Sequence, residues 1–169
     1  MTFDDYVERE IMYSKRTKRP LSLIIITTLQ ISEASDAGQQ FETGIKASIF
    51  DIAAQKAKEA LRATDTIALN HDRDILIVLP CTDEAGARQV CDKIKSTMTL
   101  EFEKIKAYHN KYIYPVYVTF PNDGNTFQML METAFKKVSS KEMLEKIVSI
   151  STDTRKYADK SYNRYRRWF

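Results

Sequence analysis

Hydrophobic positions along this chain alternate between spacing at three and four and short unbroken apolar runs, and each change of rhythm marks an element. Residues 3–17 place Phe3, Tyr6, Val7, Glu10, Ile11 and Ser14 on one side at helical spacing, and a basic edge from Lys15 to Arg19 precedes Pro20. This predicts an N-terminal helix stopped by proline. Residues 21–29 form a β-branched run between Pro20 and the polar stretch 32–40, which predicts a strand buried on both faces and central in its sheet. Ile45, Ile49, Ile52, Ala53, Lys56, Ala57, Ala60 and Leu61 repeat at three and four, predicting a helix over 42–62. Residues 65–70 and 74–79 are apolar runs around His71, Asp72 and Arg73 and read as a hairpin, although the turn lacks Asn-Gly or Asp-Gly.

Thr82 or Asp83 then caps a helix reaching about residue 106, with a bend near 97–99. Residues 112–120 alternate aromatic and β-branched side chains and are broken by Pro115, a strand with an irregular start. Pro121-Asn122-Asp123-Gly124 is a turn, and a helix follows over 126–138. The stretch 139–151 reads as a helix to 146 and then a short strand 147–150. The end, 154–169, fits an amphipathic helix with Ala158, Tyr162, Tyr165 and Phe169 on one side.

Helices between strands that include one hairpin define an α/β sandwich of the βαββαβ type, a mixed central sheet flanked by helices with a helical extension at the C-terminus. No repeat and no long linker divides the 169 residues, so one domain over 1–150 followed by a basic aromatic tail over 151–169 is expected. Charge sharpens that division. Residues 155–169 carry six Lys/Arg against Asp159 alone, and removing them from totals of 26 and 23 leaves 20 basic and 22 acidic residues. The body is near neutral, so no nucleic-acid footprint covers it. The tail, with Tyr157, Trp168 and Phe169 among arginines, either docks its aromatic face on the domain or contacts a partner, a membrane surface or nucleic acid.

Cys81 and Cys91 have no partner at metal-ligand spacing and read as small buried or half-buried hydrophobes. The longest apolar run is far short of the ~20 residues that span a bilayer, and the acidic start lacks the apolar segment of a signal peptide. A cytoplasmic location is therefore the expectation. Ser22 lacks a nucleophile-elbow context, which leaves no case for serine catalysis.

Four fragments carry a family resemblance when taken in order. They are Arg19-Pro20-Leu21-Ser22-Leu23 with its aliphatic run, Leu61-Arg62-Ala63-Thr64-Asp65, Ile75 to Pro80 with Thr82 to Ala85, and Phe120-Pro121-Asn122-Asp123-Gly124. Over residues 3–138 the chain resembles the GGDEF (diguanylate cyclase) domain, a nucleotide-cyclase-like fold. His71-Asp72-Arg73-Asp74-Ile75 stands at the GGDEF positions and keeps only an acid at the fourth place and an apolar residue at the fifth. The paired glycines that let substrate approach the backbone are absent. Where the family's first strand ends in D-I-D, Thr27, Thr28 and Leu29 stand instead, and the guanine-binding segment after it keeps only Asp36. Mg²⁺ requires carboxylate oxygens, so two-metal phosphoryl chemistry on Asp74 alone is not expected. The resemblance thus implies a protein that is not an enzyme, with no resident metal or cofactor. A residual nucleotide enzyme using Asp74 is the weakest reading.

Arg62 and Asp65 match the family's inhibitory RxxD motif. A guanidinium fork suits O6 and N7 of guanine, and a carboxylate three residues on accepts from N1–H and N2–H. In the family this pocket takes a dimer of cyclic di-GMP, closed by a further basic residue from the next helix or a second subunit. Lys93 stands at that place, with Arg88 as the alternative, and Lys is the poorer fork. The resemblance therefore implies a cyclic di-GMP receptor that signals to an unidentified protein partner and leaves a homodimer open. The competing readings are a surface ion pair at Arg62 and Asp65, with the protein a ligand-free scaffold acting through its N-terminal helix or tail. His71 reads as an exposed turn residue rather than a metal ligand with Asp72 and Asp74, because neighbours on a strand point to opposite faces.

Overall fold

A computed structural model describes residues 2–27, 43–69, 74–104 and 115–147, with side chains from Phe50 onward in the second helix and up to Val138 in the last. The chain begins with α1 (Phe3–Thr17), capped as its sequence directs. The Thr2 hydroxyl accepts from the Asp5 amide at 3.2 Å, and the Asp5 carboxylate accepts from the Thr2 amide at 2.9 Å, which satisfies two amides the helix leaves open. Lys18, in the left-handed region at φ 53°, ends it.

Then follow β1 (Leu21–Ile26), α2 (Thr43–Ala60), β2 (Thr66–Leu69), β3 (Ile75–Pro80), α3 (Glu84–Phe102), β4 (Val116–Phe120) and α4 (Phe127–Ile147). The strands lie in the order β2-β3-β1-β4. β1 is central and its six residues are all buried. Every pairing is antiparallel, in place of the mixed sheet expected: Ile24 faces Ile77 and Tyr117, and Ile67 also faces Ile77. The physical reason is that the α2 crossover returns the chain one position beyond β1's neighbour. β3 then inserts between the two co-directional strands β1 and β2.

Alternate residues of the sheet build two cores. Ile24, Ile26, Ile75, Ile77 and Leu79 pack against Ala53 and Ala57 of α2 and Ala87, Cys91, Ile94, Met98 and Phe102 of α3. Leu21, Leu23, Ile25, Leu76, Val78 and Val118 pack against Val7 and Ile11 of α1 and Phe127, Leu130, Met131 and Phe135 of α4. Small alanines on α2 bring that helix close to the sheet.

Several boundaries differ from expectation. β1 ends at Ile26, and α3 is one helix to Phe102, with Thr97 returning its hydroxyl to the Lys93 and Ile94 carbonyls at 3.0 Å. Asp83, not Thr82, is the cap, accepting from the Gly86 amide at 2.9 Å. β4 starts directly after Pro115. The pieces read as a helix over 126–138 and another to 146 form a single α4. Gly124 lies where a Cβ would come within 2.9 Å of the Leu130 amide nitrogen, so the turn into α4 requires glycine. Cys91 is buried as expected but Cys81 is exposed, because it occupies a left-handed position (φ 53°) that turns the chain off β3. Ile147, expected to open a strand, is the last residue of α4, and 148–150, the tail 151–169 and the 150/151 boundary lie outside the described residues. So do Thr28, Leu29, Asp36, His71, Asp72 and Arg73.

Candidate functional site

The Arg62–Asp65 segment connects α2 to edge strand β2. With no carbonyl of a further helical turn to bond, the Arg62 amide donates to Asp65 Oδ2 at 2.7 Å, and the Asp65 amide donates back to the Arg62 carbonyl at 3.1 Å. The two residues thus close a tight turn on themselves. Asp65 is half-buried, and the Arg62 side chain is exposed with no partner among the described residues. No ion pair joins the two side chains, so the bland surface-pair reading is replaced by a backbone-capping role for the carboxylate. One residue on, Thr66 donates its hydroxyl to the Tyr6 hydroxyl at 3.0 Å, which ties the base of the turn to α1.

The two basic candidates on α3 separate. Five residues apart, Arg88 and Lys93 point about 140° from each other around the helix. Arg88 turns toward β4: its Nε donates to the Tyr117 hydroxyl at 3.2 Å and its Nη2 to Glu84 Oε1 at 3.2 Å. Those contacts, the Tyr117 hydroxyl first, hold the guanidinium above its already high range. β4 and β2 are opposite edges of the sheet, so Arg88 is engaged on the side away from Arg62. Lys93 is exposed on the other flank of α3, and no described side chain pairs with it. Glu101, about 80° around the helix from Lys93, reaches Lys56 of α2 at 3.8 Å.

At the other end of β1 and β3, the Thr27 hydroxyl donates to Asp74 Oδ1 at 2.9 Å, and both side chains are fully buried. This end of the sheet is where a divalent-cation site of the family would have to be retained. A hard cation is held by convergent carboxylates, whereas here a hydroxyl occupies the second position and is spent on the carboxylate itself. Among the described residues no three His, Cys, Asp or Glu side chains form a candidate metal group. The described residues at this end do not fit the cation. Ile75, the last signature position, is a buried core residue of β3. Ser22 is buried and bonded to the Thr82 carbonyl at 2.8 Å and the Thr119 hydroxyl at 3.0 Å, a structural role.

Sequence reasoning missed the partner residues: Tyr117 and Glu84 holding Arg88, and Thr27 bonded to Asp74. Periodicity could have placed Glu84 beside Arg88, since they lie four apart on a helix. Only strand register, Ile26 opposite Ile75 and so position 27 beside 74, brings Thr27 to Asp74.

The fold is that of GGDEF domains. The isolated GGDEF domain of TpbB (YfiN) from Pseudomonas aeruginosa superposes with a TM-score of 0.65 at 14% identity, over 84% of this chain and 82% of that one. The active GGEEF domain of a diguanylate cyclase from Vibrio cholerae gives 0.64 at 13% identity, over 83% and 88%. The GGDEF domain of DgcB from Caulobacter crescentus, solved in complex with cyclic di-GMP, gives 0.60 at 11%, over 83% and 82%. No family model matches the sequence, and no curated protein does. Among the described residues no helix is long and apolar enough to cross a membrane.

Proposed function

We propose that this chain is a catalytically inactive domain of the GGDEF fold that acts as a receptor for cyclic di-GMP through Arg62 and Asp65, with Lys93 as the closing basic residue. The observation that carries the reading is the prefolded Arg62–Asp65 turn. It presents an exposed guanidinium, with no described partner, beside a carboxylate whose second oxygen is not needed to hold the turn. Two fork donors and an acceptor meet the two edges of a guanine base, and a preformed turn reduces the ordering cost of binding. Loss of catalysis is supported by what stands beside the one carboxylate described at the signature: buried Asp74 meets the Thr27 hydroxyl and not a second carboxylate. The signal would then pass to a protein partner, and a homodimer remains compatible with a pocket closed from a second subunit.

Calorimetric titration with cyclic di-GMP tests the reading: saturable binding lost in Arg62→Ala supports it. No heat at tens of micromolar, or binding unaffected by Arg62→Ala, leaves instead a scaffold of the same fold. That second reading has its own support in the use Asp65 already makes of its carboxylate.

A further inference from the structure

The outer edge of β4 is closed by the chain's own side chains. In an antiparallel ladder, alternate residues direct both backbone groups away from the partner strand. On β4 the outward residues are Tyr117 and Thr119, which lie opposite Ile24 and Ser22 of β1. Of their four outward groups, three are occupied. The Thr119 amide donates to Asp123 Oδ2 at 2.8 Å, and the Thr119 carbonyl accepts from the Asp123 amide at 2.8 Å. The Tyr117 carbonyl accepts from Lys137 Nζ at 3.0 Å. Lys137 also reaches Asp123 Oδ2 at 3.3 Å and lies 5.3 Å from the centre of the Tyr117 ring. One carboxylate and one ammonium, from the turn and from α4, therefore cap the edge together and hold each other in place.

We infer that Asp123 and Lys137 form an edge cap that keeps β4 from accepting another strand, so that a second copy of this chain cannot extend the sheet at this end. Exposed sheet edges are templates for pairing, and an inward-reaching lysine is one means of blunting them. Here the means is stronger than charge alone, because the cap takes the hydrogen bonds an incoming strand would need. Tyr117 contributes as well, its ring covered by Lys137 and its hydroxyl held by Arg88, so the side chains beside the edge are already engaged.

Amide exchange followed by NMR, with sedimentation velocity over a concentration series, tests the inference on the full chain. In the wild type the Thr119 amide should exchange at least about tenfold more slowly than the outward Tyr117 amide, which finds no acceptor among the described residues. The variant D123A/K137M should associate more strongly as concentration rises, with both amides gaining protection in the associated form. Should Asp123→Ala unfold the turn, Lys137→Met alone, which keeps the aliphatic stem, should show the same trend more weakly. Equal exchange of the two amides in the wild type, or folded variants whose association matches the wild type, would overturn the inference.

Discussion

The Thr27 hydroxyl donates to the Asp74 carboxylate at 2.9 Å, with both residues fully buried, one step beyond the last paired residues of β1 and β3. A buried carboxylate must be held by hydrogen bonds, and this one is drawn into the space between the two strand ends. The bond therefore links the described ends of β1 and β3. Thr27→Val keeps the shape and removes the donor, and is expected to destabilise the fold by about 1–3 kcal/mol. Urea unfolding of the two proteins measures it, and an unchanged midpoint would mean the bond is incidental.

The same relationship predicts the outcome of a turnover assay. Incubated with GTP and Mg²⁺ or Mn²⁺, the protein should form no cyclic dinucleotide, since one carboxylate with a threonine beside it in place of a second carboxylate is too few ligands for the metals such chemistry requires. Turnover that disappears in Asp74→Ala would show the carboxylate to be catalytic after all.

The separation of the two basic residues on α3 gives a comparison within one helix. Lys93→Ala should weaken cyclic di-GMP binding by about tenfold, the scale of one lost charge-assisted contact. Arg88→Ala should leave affinity unchanged, because its guanidinium is engaged by Tyr117 and Glu84 at the β4 side. Calorimetry on both variants decides it, and the reverse pattern would place the ligand at the β4 edge.

Acid should loosen the start of α1. Hydrogen bonds from the Thr2 amide, and then from its hydroxyl, hold the Asp5 carboxyl below its ordinary value of 3.8. A lowered folded pKa gives stability that is present above the unfolded value and lost as pH falls through the folded one. Asp4 runs the other way: burial first, then Asp5 and Glu8, raise its carboxyl, so its burden is relieved by acid. The protection that wild type holds over Asp5→Asn in first-turn amide exchange should therefore shrink toward zero as pH falls through the lowered value of that carboxyl. Protection that persists there would mean the capping box does not depend on the charge.

Much of this was legible before any coordinates. The end of α1 follows from Pro20, and the central place of β1 from a run of five apolar residues around Ser22 that a strand covered on both faces buries. Residues 74–80 were equally readable, since the apolar run ends at a proline. What could not be read is what depends on register and direction. Periodicity does not say that β3 inserts between β1 and β2, the insertion that makes the sheet antiparallel throughout and not mixed. Nor does it say that Asp65 would spend an oxygen on the Arg62 amide, that Arg88 and Lys93 would part, or that Cys81 would sit exposed at a positive φ. Composition marks Asp123 and Lys137 only as a turn acid and a surface lysine, and the backbone groups they cap belong to a strand placed by pairing.

Titration of the wild type and Arg62→Ala with cyclic di-GMP bears most directly on the central claim. Because the Arg62 side chain is exposed and its amide, not its guanidinium, holds the turn, the substitution should leave the thermal midpoint unchanged. The account predicts saturable binding to the wild type and loss of at least about 2 kcal/mol of binding free energy in the variant, the scale of a bidentate contact to a guanine edge. Absence of binding to the wild type, or equal affinity in a folded Arg62→Ala, would contradict it.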